Sequence, residues 1–164
     1  MTRRYARTHR SRRAVGHAPA GWDKNTTLTG AMSASGMLVL SRRVGGGTTT
    51  VSFLAFVRDE LCPVLTSGQT VVLDNPSAHK AAEVRDAIEA VGCRVLFVPP
   101  YSPGYNAVEK AWSKLKAALR RIGARTPDAL EVAITDAAAT ITATITASDA
   151  ANWIRGAGYV LAPT

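Results

Sequence analysis

The sequence predicts an α/β domain, a mixed sheet flanked by helices on both faces. Strand-type runs come first as a pair and then singly, and each single run precedes a segment with helical apolar spacing. With 164 residues the chain is long enough for one sizeable core.

The elements follow in chain order. Residues 1–13, "MTRRYARTHRSRR", contain six arginines and no acid, Arg3, Arg4, Arg7, Arg10, Arg12 and Arg13. Such a run reads either as a solvated tail or as an arm that grips phosphates. Residues 1–20 are taken as this arm with its loop, and residues 21–164 as the core. "TTLTGAMSASGMLVLSRR" gives a hairpin over 26–43, broken at "SASG". "GGGTTT" is a connector, since it lacks the Gly-Lys-Ser/Thr of a phosphate-binding loop. Phe53, Phe56, Val57, Leu61, Val64 and Leu65 recur at helical spacing and predict a helix over 50–65. "QTVVLD" is a buried strand ending in Asp74. A helix over 77–91 ends at Gly92, and "CRVLFV" is a second buried strand. A loop stiffened by Pro99, Pro100 and Pro103 leads into a helix over 106–122, with Ala111, Trp112, Leu115, Leu119 and Ile122 on one face. Pro127 opens a last helix whose stripe is Leu130, Ile134, Ala138, Ile141 and Ile145.

Composition narrows the function classes. A formal charge of +8 and a pI near 10.1 favour a polyanionic partner, nucleic acid or anionic lipid. Mean hydropathy of +0.02 and 46% hydrophobic residues fit a soluble globular chain, and the Ala/Ile-rich stretch from Ala129 carries Glu131 and Asp136, so it is no membrane span. Cys62 and Cys93 have no metal-like spacing and read as free buried thiols. With no secretory leader pattern, the expected compartment is the cytoplasm, at the nucleoid when DNA is bound.

Two carboxylates stand out. Asp74 ends a strand in apolar company, where an ionised group needs a partner, a hydrogen bond or a metal, although "DNPS" is also ordinary turn chemistry. Glu109 opens a helix. "NAVE" reads as a capping box with Asn106 at the N-cap, and a glutamate there also meets the positive end of the helix dipole. Together they suit a divalent ion. Mg²⁺ takes a few protein oxygens and leaves room for phosphate, and Mn²⁺ is the alternative. Strand ends and helix starts are where functional groups gather in such sheets.

The stretch "VVLDNPSAHKAAEVRDAIEAVGCRVLFVPPYSPGYNAVEKAWSKLKAALRR" resembles the catalytic core of mariner-related bacterial insertion-sequence transposases, in the DDE superfamily of endonucleases. The matching features are Asp74-Asn75 with His79 four residues after Asn75, then "VPPYSPGYNAVE", then Trp112 and Lys116. Between Asp74 and Glu109 lie 34 residues. The resemblance implies a ribonuclease-H-like fold and Mg²⁺-dependent cleavage and joining of DNA at transposon ends. Asp74 would be the second acidic ligand and Glu109 the third, with Asn75, His79, Tyr101, Ser102 and Asn106 around them. The six arginines with Lys110, Lys114 and Lys116 would hold the DNA backbone. A homodimer on paired ends is the family's usual assembly.

Three departures qualify the match. The family's first strand, which ends in the first catalytic aspartate, has no counterpart after Met1. Asp23, the only acid before the hairpin, sits in a loop and is a poor substitute. The DNA-binding helix-turn-helix is also missing, and "NAVE" stands where "NPIE" is commoner. The expectation is therefore an N-terminally truncated transposase, weak or inactive alone. The alternative is a non-catalytic DNA-binding or dimerising remnant that modulates a full-length transposase.

Overall fold

The structure, a computed structural model, describes residues 7–13, 15 and 25–161. Arg3, Arg4 and Asp23 lie outside the described residues. The chain forms two compact units, Lys24–Lys110 with Ile145–Thr164, and Met1–Asp23 with Ala111–Thr144.

In the first unit, the threonines, Leu28 and Met32 of one run and the aliphatic residues of the next form the predicted hairpin. Strand β1 (Thr26–Ser33) pairs antiparallel with β2 (Gly36–Val44), with a bulge at Ala31/Met32. Its turn needs glycine: Gly36 has φ 127°, and a Cβ there would stand 3.2 Å from the Ile145 carbonyl oxygen. Helix α1 (Thr50–Phe56) starts at a Thr49/Ser52 capping box and continues through a π-helical turn, Val57–Leu61, and a 3-10 turn, Cys62–Val64. The single helix expected over 50–65 is therefore three segments, because Pro63 cannot sustain the α ladder. Val64, predicted apolar-face, is 43% exposed.

Strand β3 (Thr70–Leu73) pairs parallel with β4 (Arg94–Phe97) across the crossover helix α2 (Ala82–Ala90). Gly92 ends that crossover at φ 77°, and a Cβ there would stand only 2.4 Å from Ser67 Oγ, so no other residue fits without movement. Alternation places Val71, Leu73, Val95 and Phe97 on one core together with Phe53, Phe56, Val57, Leu61, Val84 and Ile88. Ala31 and Val39 of the hairpin reach the same cluster. The opposite face of the pair presents Leu96, which is 45% exposed.

Both pairings of a mixed sheet are present, yet as two two-stranded sheets, β1–β2 and β3–β4, rather than one. The physical reason is that, among the described residues, no strand lies between the pairs to bond both. The helix expected over 77–91 is also broken: a 3-10 turn, Ser77–His79, precedes α2, with Ala81 extended between them. Cys93 is buried and Cys62 partly so; both are free thiols, and burial, then the neighbouring Cys93, raises the Cys62 thiol pKa.

Helix α3 (Val108–Ile122) begins in this unit, and from Ala111 onward it belongs to the second. Ala111, Leu115 and Leu119 are buried as predicted, Trp112 is half-buried, and Ile122 is 53% exposed where the helix ends at Gly123. In α4 (Pro127–Thr144) the buried stripe is Ala133, Ile134, Ala137 and Ile141, rotated slightly from the predicted one, and Ile145 is buried beyond the helix end. A further helix, α5 (Ala147–Gly156), was not predicted, although Thr146 and Asp149 form its capping box. No single helix among the described residues is long and apolar enough to cross a membrane.

Candidate catalytic site

Asp74 follows the last residue of β3. The Val98 N–H donates to the Leu73 carbonyl at 2.9 Å, and the Asn75 side-chain amide donates to the Val98 carbonyl. The first bond continues the β3–β4 ladder past the strand ends and the second adds a side-chain tie, so the residues on both sides of Asp74 are held. The 3-10 turn at Ser77–His79 then folds the chain back. His79 Nδ1 lies 2.5 Å from Asp74 Oδ1, and its ring stacks on Phe53 at a centroid distance of 3.7 Å and 23° between planes. The histidine is 15% exposed against 43% for the aspartate. A largely buried imidazole clamped on an aromatic face therefore holds one carboxylate oxygen, while Oδ2 has no such partner among the described residues.

Glu109 arrives differently. Pro103–Tyr105 makes a 3-10 turn, Asn106 is extended, and α3 starts at Val108. The Asn106 carbonyl accepts the Glu109 N–H at 3.1 Å, a backbone contact. The expected capping box does not form: with the helix starting two residues later than predicted, Asn106 is outside capping position. Among the described residues, no hydrogen bond engages the Glu109 carboxylate. The C-terminal segment after α5 braces this loop, since Tyr159 Oη donates to the Tyr105 carbonyl at 2.8 Å. Burial, and then the neighbouring Tyr105, raises the Tyr159 phenol pKa above its ordinary value.

Asp74, Asn75, Tyr101, Ser102, Asn106 and Glu109 line one open cavity of about 390 Å³, walled by Val98 and the three prolines. Of the residues singled out in the sequence around the two acids, only His79 is absent from the lining, and it stands behind Asp74. Lys80 also lines the cavity and was missed, although it directly follows His79 in the motif. Phe53 and Tyr159 were missed as well, because nothing local in the sequence links them to the acids. Arg7, Arg10, Arg12, Arg13, Lys110, Lys114 and Lys116 are exposed and none of them lines this cavity.

The oxygen donors here are hard ones, from two carboxylates, two amides and the Ser102 and Tyr101 hydroxyls, with no thiolate. That set fits Mg²⁺ or Mn²⁺, which need one or two carboxylates and otherwise take water and phosphate oxygen. Among the described residues, no group of three or more His, Cys, Asp and Glu converges as a metal site.

Comparison with known structures places the fold. The strand transfer complex of Mos1 superposes with a TM-score of 0.68 at 19% identity, over 93% of this chain and 46% of the other. The Mos1 mariner paired-end complex with Mn gives 0.66 at 20%, over 96% and 47%. The Mos1 transposase catalytic domain with raltegravir and Mg gives 0.52 at 15%, over 83% and 75%. These likenesses show the ribonuclease-H-like fold class, and the chain spans about half the length of the first two structures. No curated protein matches the sequence. The family model for the DDE superfamily endonuclease matches residues 1–133, most of the chain, which therefore belongs to the DDE superfamily of endonucleases.

Proposed function

We propose that this chain is catalytic-domain sequence of a DNA transposase of the mariner-related bacterial insertion-sequence type, acting on transposon ends and target DNA by metal-dependent phosphoryl transfer. The observation that carries the reading is that Asp74 and Glu109, 34 residues apart, line the same cavity in a DDE endonuclease. The Mos1 structures support it, since they are a strand transfer complex and paired-end complexes of a transposase.

Asp74 Oδ2 and Glu109 would hold the divalent ion, Mg²⁺ or Mn²⁺, which when bound supplies charge stabilisation at the phosphoryl oxygens and a more acidic attacking water or hydroxyl. The protein's own residues do the positioning. His79 keeps Asp74 in one rotamer, Asn75 pins the strand end, and Lys80 offers a cation to a phosphate entering the cavity. The exposed arginines of the arm, with Lys110, Lys114 and Lys116, add sequence-independent backbone contacts. A homodimer on paired ends and a cytoplasmic, nucleoid-associated location belong to the same reading.

The described residues bring two carboxylates to the cavity, and we propose that the first acid of the triad comes from outside them. A site with these two acids alone cleaves weakly. The test is nicking of supercoiled DNA and of end-bearing duplexes in Mg²⁺ or Mn²⁺, beside Asp74→Ala. Salt-sensitive DNA binding with weak or no nicking is expected. Vigorous nicking abolished by Asp74→Ala would show that the triad is completed within this chain. DNA binding that survives Glu109→Gln, with no metal bound by either protein, would favour the non-catalytic DNA-binding remnant instead.

A further inference from the structure

The loop between the two acids carries a feature that their placement does not require. Tyr101 has φ 56°, and apart from Ser11 it is the only described non-glycine residue with positive φ. A Cβ is strained in that region, and a loop needing only this turn would be served better by glycine or asparagine. The ring does not compensate by packing, because Tyr101 is fully exposed, at 103%. The strained backbone is nevertheless well fixed. Pro100 precedes Tyr101, Pro103 follows Ser102, and Ser102 Oγ donates to the Pro100 carbonyl at 3.2 Å, closing the turn around the tyrosine. A rigid turn thus holds a large aromatic ring in solvent, at the rim of the cavity lined by Asp74, Lys80 and Glu109.

We propose that Tyr101 is a nucleobase-stacking residue. It receives an unpaired base next to the phosphate that enters the cavity, so that the site favours DNA whose strand end is frayed or single-stranded. Every base has a π-face, so stacking on an exposed aromatic tolerates any sequence while demanding an unstacked base. Lys80 and the carboxylates address the phosphate and the ion, and neither can distinguish a paired base from an unpaired one. Tyr101 supplies that distinction. The inference rests on the DNA reading above and deepens it by naming the form of DNA bound.

The test uses the whole chain and two fluorescent duplexes, one blunt and one with a short 3′ thymidine overhang, measured by anisotropy at low salt. Wild type should bind the overhang duplex more tightly than the blunt one. Tyr101→Ala should lose about tenfold or more on the overhang duplex and little on the blunt one, and Tyr101→Phe should keep the preference. Tyr101→Gly separates stacking from folding. It should melt at or above the wild-type temperature, because glycine accepts the positive φ, while binding the overhang as poorly as the alanine variant. With 5-iodouracil in the overhang, the photocrosslink should map to Tyr101. Equal overhang binding by wild type and Tyr101→Ala, or a crosslink confined to other residues, would overturn the stacking role while leaving DNA binding intact. Wild-type protein that binds neither duplex would overturn both.

Discussion

Asp74 is held at its carboxylate, and Glu109 only through the chain that carries it. Around Asp74, the Asn75 amide bonds the Val98 carbonyl, His79 bonds one carboxylate oxygen, and Phe53 stacks on the histidine. Around Glu109, the proline-rich loop, the 3-10 turn at Pro103–Tyr105 and the Tyr159 brace set where α3 begins, and the carboxylate itself is unengaged among the described residues. The Asp74 carboxylate is oriented by the protein's own side chains. The other is delivered by its helix and is free to turn toward what binds. Under the proposed metal-binding role, the contrast would divide the labour between the two acids, Asp74 fixing position and Glu109 adapting to it.

The strongest way to break this contrast is to unclamp Asp74. His79→Ala should weaken Mn²⁺ binding by about 10- to 100-fold with the fold retained, as loss of a group that orients a metal ligand does. Calorimetric titration checks it, and unchanged affinity would mean that the Asp74–His79 bond is structural only. Asn75→Ala comes next. It leaves the Val98 carbonyl without its side-chain donor and should cost about 1 kcal/mol of stability in urea denaturation. Tyr159→Phe addresses the other acid. It removes the bond to the Tyr105 carbonyl at about 0.5–1 kcal/mol, and hydrogen exchange should rise in the Pro103–Tyr105 turn and not around Asp74.

The smallest effect concerns pH. The folded-state pKa of Tyr159 is raised above its ordinary 10.0, so the folded chain keeps a proton that the unfolded chain releases. That contribution to stability is present in full below about pH 10 and fades as the pH climbs through the folded-state pKa. In alkaline unfolding curves, Tyr159→Phe should remove this part of the decline.

Much of this arrangement is legible in the sequence, and the exceptions share a cause. The hairpin, the β3–α2–β4 crossover and the joint placement of Asp74 and Glu109 follow from periodicity, turn residues and one long motif, all of them local or evenly spaced signals. What escapes depends on contacts between distant residues. Nothing near Phe53 announces that it will stack on His79, and Tyr159 meets Tyr105 across 54 positions. The capping reading of "NAVE" fails because the 3-10 turn at Pro103–Tyr105 delays the helix to Val108, a tertiary choice that a four-residue pattern cannot register. Helix α5 is hidden although "TASD" is a capping box, because the alanine- and threonine-rich segment before it gives no clear break in periodicity. The strain at Tyr101 cannot be read from residue types at all.

The most direct measurement is Mn²⁺ binding to the intact chain, by calorimetry or by electron paramagnetic resonance of the free ion, for wild type, Asp74→Ala and Glu109→Gln. The expected result is one site in the wild type that both substitutions weaken severely, since each removes one of the two carboxylates in the cavity. Binding unchanged by either substitution would contradict a shared site and leave the two acids as neighbours without a common ligand.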